Sequence, residues 1–290
     1  MTSFTNLELA RTAAILPVGA DVAGSHNQRR RPVRRLERVT FEVAAEAYDR
    51  FMGRHSAQLS PQLARFAEVH AGGRMLDVGC GPGALTAELV RQLGESAVTA
   101  VDPSEAFVAA ARDRFPGVDV RRASAERLPF DDSGFDAAIA QLVVHFMTDP
   151  VAGLAEMKRV TVPGGTVAAC VWDHAGERTP LAVFWQAARR LDPGVHDESG
   201  LAGAREGHLA ELLSAADLTS VRETTLTSSV RFASFDEWWE PFTLGVGPAG
   251  AYAATLDEPA RDELQACCRQ LLPTTPFTVD SAAWAARGTA

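Results

Sequence analysis

The chain has 290 residues, 46% hydrophobic and 22% charged, with a formal net charge of −9. These proportions suit a globular chain that buries a sizeable core, the negative balance repels nucleic-acid phosphates and anionic membranes, and no apolar run reaches the ~20 residues that span a bilayer. The four cysteines, Cys80, Cys170, Cys267 and Cys268, form neither a CxxC pair nor a disulfide framework, so they read as reduced thiols of a cytoplasmic protein and no metal is assigned.

Residues 1–38 lack sustained periodicity and carry Arg29-Arg30-Arg31-Pro32-Val33-Arg34-Arg35. A charge block of this kind marks solvated chain, so the segment reads as a disordered leader. From Phe41 to Met52 apolar residues recur at helical spacing, and Ser60-Pro61 predicts the start of a second helix that Gly72-Gly73 ends. Strand and helix patterns then alternate: strand 75–78, helix 84–93, strand 97–101, helix 104–115, strands 118–121 and 135–140, helix 151–160 and strand 166–172. Repeated βα units build a parallel sheet with helices on both faces. Beyond Trp172 the pattern loosens. Helices are expected over 181–191, 207–216 and 259–272, strands over 221–232 and 281–287, and a dense aromatic stretch over 235–242. The expectation is one α/β domain over 39–290, with a cofactor-binding core at 39–175 and a substrate-cap insertion and final strands at 176–290.

The segment Met75-Leu76-Asp77-Val78-Gly79-Cys80-Gly81-Pro82-Gly83-Ala84 runs from strand through glycine loop into helix. Glycines permit a tight turn and let a ligand approach the backbone, and the helix start offers free N–H groups. Gly79, Gly81 and Ala84 also satisfy the dinucleotide pattern, so the loop alone leaves a nicotinamide site and an adenosylmethionine site both open. Asp102 ends the second strand, where its carboxylate can accept from both ribose hydroxyls, and Ser104 behind it suits a helix N-cap. Asp77 tips the choice. A carboxylate at the strand's carboxyl end is useful beside an ammonium or sulfonium and poorly placed beside a pyrophosphate.

Asp77-Val78-Gly79-Cys80-Gly81-Pro82-Gly83 resembles the first motif of class I S-adenosylmethionine-dependent methyltransferases. Three further segments fit in order: Ala125-Glu126-Arg127-Leu128-Pro129-Phe130 resembles the loop over the adenine, Phe135-Asp136-Ala137-Ala138-Ile139 the fourth strand, and Glu156 through Gly165 the helix and turn before the fifth. The set is typical of the branch that holds the ubiquinone and menaquinone biosynthesis methyltransferases, and it covers about residues 41–175. The resemblance implies a Rossmann-like seven-stranded sheet of order 3-2-1-4-5-7-6 with the last strand antiparallel. It implies that Gly79, Cys80, Gly81 and Gly83 approach the methionine and ribose part, Asp77 the methionyl ammonium, and Asp102 with Pro103 the ribose. Ser124, Ala125 and Glu126 fall beside the adenine, Gln141 at the methionine end or the substrate, and Tyr48 on a segment folded over the cofactor. Relatives usually carry Asp where this chain has Ser124; a hydroxyl is a weaker, neutral acceptor.

Methyl transfer from a sulfonium depends mainly on alignment, with a general base needed only when the nucleophile must lose a proton. His145 is the leading base candidate, set against an ordinary loop histidine, and Asp173-His174 is a second candidate pair. Trp185, Trp238 and Trp239 belong to an aromatic group that the family resemblance sets over the substrate, although such clusters are more often core. The expected partner is a small molecule, quinone-like, phenolic or natural-product in type, methylated on carbon or oxygen, by a monomer or homodimer. A nicotinamide oxidoreductase accounts for the loop and Asp102 but not for Asp77. A non-catalytic nucleoside-binding protein is the other alternative. An amino-adenine methyltransferase is disfavoured because Gln141-Leu142-Val143-Val144 stands where its Asn/Asp-Pro-Pro-aromatic motif belongs.

Overall fold

The computed structural model describes residues 45–290. The leader read over residues 1–38 and the helical start at Phe41 lie outside the described residues. A turn of helix α1 (Ala45–Tyr48) continues through a π-helical stretch, Asp49–Gly53, into α2 (Arg54–Phe66). Ser60-Pro61 is therefore not a helix start: Pro61 sits inside α2. Its missing N–H lies beside a locally rebonded turn, where Ser60 Oγ donates to the Ser56 carbonyl at 3.0 Å.

The βα alternation follows as β1 (Met75–Val78), α3 (Ala84–Leu93), β2 (Val98–Asp102), α4 (Glu105–Arg114), β3 (Asp119–Arg122), β4 (Phe135–Gln141), α5 (Pro150–Val160) and β5 (Thr161–Trp172). Local chemistry starts the helices. Ser104 Oγ accepts from Phe107 N at the head of α4, and Asp149 Oδ1 accepts from Ala152 N at the head of α5. The second half holds α6 (Ala182–Leu191), α7 (His208–Ala215), β6 (Thr219–Phe232), α8 (Phe235–Trp239), α9 (Gly247–Thr255), α10 (Glu258–Leu271) and β7 (Phe277–Thr289). The Gly-, Pro- and Ala-rich α9 has no counterpart among the predicted elements. β7 runs past both predicted ends because it pairs with β6 from Thr219↔Thr289 to Phe232↔Phe277, and β5 starts ahead of its predicted beginning, at Thr161, where it meets Phe135 of β4. Pairing, rather than local pattern, sets their length.

The seven strands form one sheet of order β3-β2-β1-β4-β5-β7-β6. β1 pairs in parallel with both β2 and β4, and β7 lies antiparallel between β5 and β6. Both faces of the central strands are covered. Along β5, Ala168, Cys170 and Trp172 join one buried cluster while Val167, Ala169 and Val171 join the other. That accounts for the near-continuous apolar runs of these strands. The chain leaves β1 toward β2 on one side and returns to β4 on the other. The strand order reverses there, and ligands of open α/β sheets bind beyond the strand ends at such a point.

Candidate active site

The glycine loop leaves β1 at this switch point and is bent back onto β2. Gly79 N and Cys80 N both donate to the Val101 carbonyl, at 2.8 and 3.0 Å. Gly81 N donates to Asp102 Oδ2 at 2.9 Å, and Ser104 N donates to Asp102 Oδ1 at 2.8 Å. Asp102 thus braces the loop and the start of α4 together, with lone pairs left on each oxygen for a further donor. Gly79, Gly81 and Gly83 hold φ of 73°, 54° and 98°, the left-handed region that favours glycine. Their surroundings differ. A Cβ on Gly79 would lie 2.2 Å from Val143 Cγ2 and one on Gly83 2.5 Å from Phe115 Cε2, whereas one on Gly81 meets nothing within 4 Å. Gly81 alone of the three opens on free space, while its neighbours are also needed for close packing. Val143 is thrown over Gly79 by a turn after β4 in which Leu142 takes φ 60°.

Asp77 is fully buried in β1. Thr86 Oγ1 donates to its Oδ2 at 2.6 Å, and its Oδ1 has no partner. Burial pushes the carboxyl up to about 7, with the Asp102 charge adding to the rise and the Thr86 bond opposing it. Burial raises Asp102 to about 6 against the Ser104 and Gly81 N–H groups. A buried acceptor left without a donor costs ~1–3 kcal/mol. An ammonium brought into the cradle would fill that valence and draw the carboxylate back into its charged form. These residues therefore fit a cationic nucleoside and not a pyrophosphate.

Tyr48 sits at the end of α1 with its ring edge-on to Phe107 at 5.4 Å. Burial lifts its hydroxyl to about 12, and the nearby Asp102 charge adds to the rise. Gln141 is the last residue of β4 rather than the residue after it; its Nε2 donates to the Ser56 carbonyl at 3.2 Å and its Oε1 has no partner. Cys80 is buried in the loop, Pro103 is exposed beyond it, and Ala125 is buried beside the exposed Ser124. Glu126 Oε1 accepts from Thr148 N at 2.7 Å and fastens the loop before α5.

The structure separates the pair Asp173-His174. Asp173 accepts from Arg178 Nε at 2.5 Å and from Gly176 N at 2.8 Å, so it closes its own loop. His174 opens the turn that follows β5 and faces His145 instead, with ring centroids 5.7 Å apart. Burial holds His145 well below the usual histidine value and His174 at about 4, which weakens both as general bases. Glu198, from the short 3-10 turn Glu198–Gly200, joins them, and the sequence reading missed it. Nothing periodic marks that loop. Its carboxyl, raised by burial to about 7, accepts from Trp185 Nε1 at 2.8 Å. Trp185 thus has a polar task. Trp238 lines a separate cavity with Phe51, His55, Leu181, Phe232 and Phe242, with Arg50 and Arg54 among its walls. Trp239 is packed in the aromatic core, stacked on Phe235 and Phe184.

A reversed strand order, an antiparallel β7 and an acid-flanked glycine loop make up the class I, Rossmann-like methyltransferase fold. Residues 76–169 match the family model described as a methyltransferase domain, and the named relatives support a class I S-adenosylmethionine-dependent methyltransferase. It is 39% identical over 101 residues to the ubiquinone/menaquinone biosynthesis C-methyltransferase UbiE of Geobacter sulfurreducens, covering 32% of this chain and 40% of that one. It is 35% identical over 154 residues to a malonyl-[acyl-carrier protein] O-methyltransferase of Pectobacterium atrosepticum, covering 52% and 57%. A demethylmenaquinone methyltransferase of Desulfitobacterium hafniense is 26% identical over 216 residues, covering 66% and 85%. The curated relatives that match first are spanned over only 38% and 59% of their own length. Among solved structures, the YcgJ protein of Bacillus subtilis shares the fold with a TM-score of 0.52 at 19% identity, covering 81% of this chain and 97% of that one. The [4+2]-cyclase SpnF shares it at 0.50 and 23%, covering 80% and 81%.

Proposed function

We propose that this chain transfers a methyl group from S-adenosylmethionine to a small acceptor with a hydrophobic or aromatic body, quinone-like, phenolic or natural-product in type. The observation that carries the reading is the unpartnered, buried Asp77 oxygen beside the open cradle at Gly81. Bound S-adenosylmethionine supplies an electrophilic methyl on positive sulfur. The chain's part is to bind and align. Asp77 takes the ammonium, Asp102 the ribose hydroxyls, and Gln141 offers its free carbonyl oxygen at the end of β4. Orientation of this kind supplies much of the rate of a displacement.

The relatives named for quinones and for malonyl-carrier esters support a small or carrier-borne acceptor. The cavity around Trp238 supports an apolar one. The free thiols, together with the absence among the described residues of any helix long and apolar enough to cross a membrane, support a place in the cytoplasm. The likeness to a cyclase shows that this fold carries other chemistry, so the test must read transfer as well as binding. Calorimetric titration should give saturable binding of S-adenosylhomocysteine and none of NADH. Incubation with methyl-labelled donor and a panel of phenols, quinones and polyketides should move label into an extractable product. NADH binding, or donor binding with no label transferred to any acceptor class, overturns the assignment.

A further inference from the structure

The meeting of His145, His174 and Glu198 is not needed for holding a nucleoside. His145 follows β4, His174 follows β5, and Glu198 comes from the loop after α6. One donor atom from each can be chosen so that all three lie within 4.8 Å of one another. The three side chains are 7%, 5% and 2% exposed. His145 Nδ1 and both ring nitrogens of His174 are buried with no hydrogen-bond partner. Nearby acids are already committed, Asp173 to Arg178 and Asp197 to Arg189. Glu198 has no cationic partner among the described residues. Its second oxygen is steadied by the Trp185 indole, the kind of outer hydrogen bond that orients metal-binding carboxylates.

Two neutral imidazoles and one carboxylate are the donor set of zinc and related ions when one position is left for water. We propose that His145, His174 and Glu198 form a binding site for one divalent transition-metal ion of the zinc class. Zinc holds nitrogen and oxygen ligands at about 2.0–2.2 Å, so tetrahedral ligands stand about 3.4 Å apart and the trio closes on the ion by side-chain rotations of about an ångström. The ion supplies a partner for one nitrogen of each ring and the charge that a buried carboxylate requires. It stands beyond β4 and β5, at the same edge of the sheet as the cradle. Metal binding does not depend on the proposed methyl transfer.

The test uses the full-length, untagged protein, stripped with a chelator and dialysed, then titrated with cobalt(II) chloride and competed with zinc chloride. The wild type should bind one equivalent of cobalt with visible ligand-field bands that zinc abolishes. His174→Ala and Glu198→Gln should lose at least 100-fold in affinity. Trp185→Phe, which removes only the outer hydrogen bond, should lose about 10–100-fold. His196→Ala, at an exposed histidine outside the trio, should bind as the wild type does. Circular dichroism and S-adenosylhomocysteine titration on the same samples separate unfolding, or failure of the nucleoside reading, from failure of the metal site. Substoichiometric cobalt in the wild type, as expected if the trio encloses only ordered water, overturns the proposal. So does equal affinity in folded Glu198→Gln and Trp185→Phe.

Discussion

Asp77 must be ionised to face an ammonium, yet burial brings its carboxyl to about 7 in the free protein. Below that value, binding has to expel a proton first. Affinity for S-adenosylhomocysteine should therefore weaken by up to tenfold per pH unit below about 7, and Asp102, at about 6, steepens the fall at lower pH. Titrations in buffers of different ionisation enthalpy should show proton release near pH 7. Asp77→Asn should bind more weakly and with a flatter pH dependence; an unchanged slope contradicts the ammonium role. The loop glycines make a second residue-scale contrast. Gly83→Ala would drive a Cβ to 2.5 Å from the Phe115 ring, so it should lose stability by about 1–3 kcal/mol in urea unfolding. Gly81→Ala meets no protein atom. Its stability cost should be smaller, about 1 kcal/mol for the left-handed backbone, while donor affinity drops at least tenfold because the new methyl stands in the cradle. If the two variants behaved alike, the cradle would be a turn and nothing more.

At the scale of elements, α8 and the turn after it form a wall. Phe184 on α6 stacks on Phe242 at 4.6 Å, and Trp238 contacts Phe242 at 4.8 Å while reaching the cavity that Arg50 and Arg54 also line. Arg50 pairs with Glu240 and Arg54 with Glu237, each at 2.6 Å, so the turn leading into α2 is tied to this wall by exposed ion pairs. Such pairs contribute little energy singly; the aromatic packing sets the shape. Trp238→Ala should raise acceptor KM about tenfold or more and leave donor Kd within twofold, read by steady-state kinetics and calorimetry on one preparation. Trp239 lies in the stack and not on the cavity wall. Trp239→Ala should instead lower the unfolding free energy by about 3–5 kcal/mol, with KM unchanged in whatever protein stays folded.

For the whole molecule, α2 is held to the sheet through His55. Its Nδ1 lies 3.0 Å from Ser228 Oγ on β6, and its ring stands edge-on to Trp172 at 6.1 Å. Burial, with the neighbouring Arg54 charge, depresses His55 to about 4. A histidine depressed in the fold contributes stability that is present above its ordinary value near 6.5 and lost as pH falls toward 4, because the unfolded chain takes up the proton first. A shift of that size corresponds to roughly 3 kcal/mol as an upper figure. Asp77 and Asp102 act in the opposite direction. Their raised values favour the folded state most below about pH 4, and that contribution is lost as pH rises through about 6 to 7. The His55 part is isolated by comparison with His55→Gln. The stability gap between wild type and variant should widen from pH 4.5 to 7 in urea unfolding, and parallel profiles would show that His55 is not buried neutral.

The amino-acid order by itself determined β1 through β5 and the helices between them, the turn at Gly79–Gly83, and the acids Asp77 and Asp102. Those features follow from periodicity, caps and turn residues within a few positions of one another, and the likeness to known methyltransferases rests on the same stretch. Tertiary structure decided the rest. Pairing with β6 lengthened β7 and pairing with β4 lengthened β5, packing carried α2 through Pro61, Arg178 took Asp173 away from His174, and Glu198 came to the two histidines from a loop with no pattern of its own. Side chains that meet from three separate loops are brought together by the strand order of the sheet, and short-range sequence signals carry no information about that.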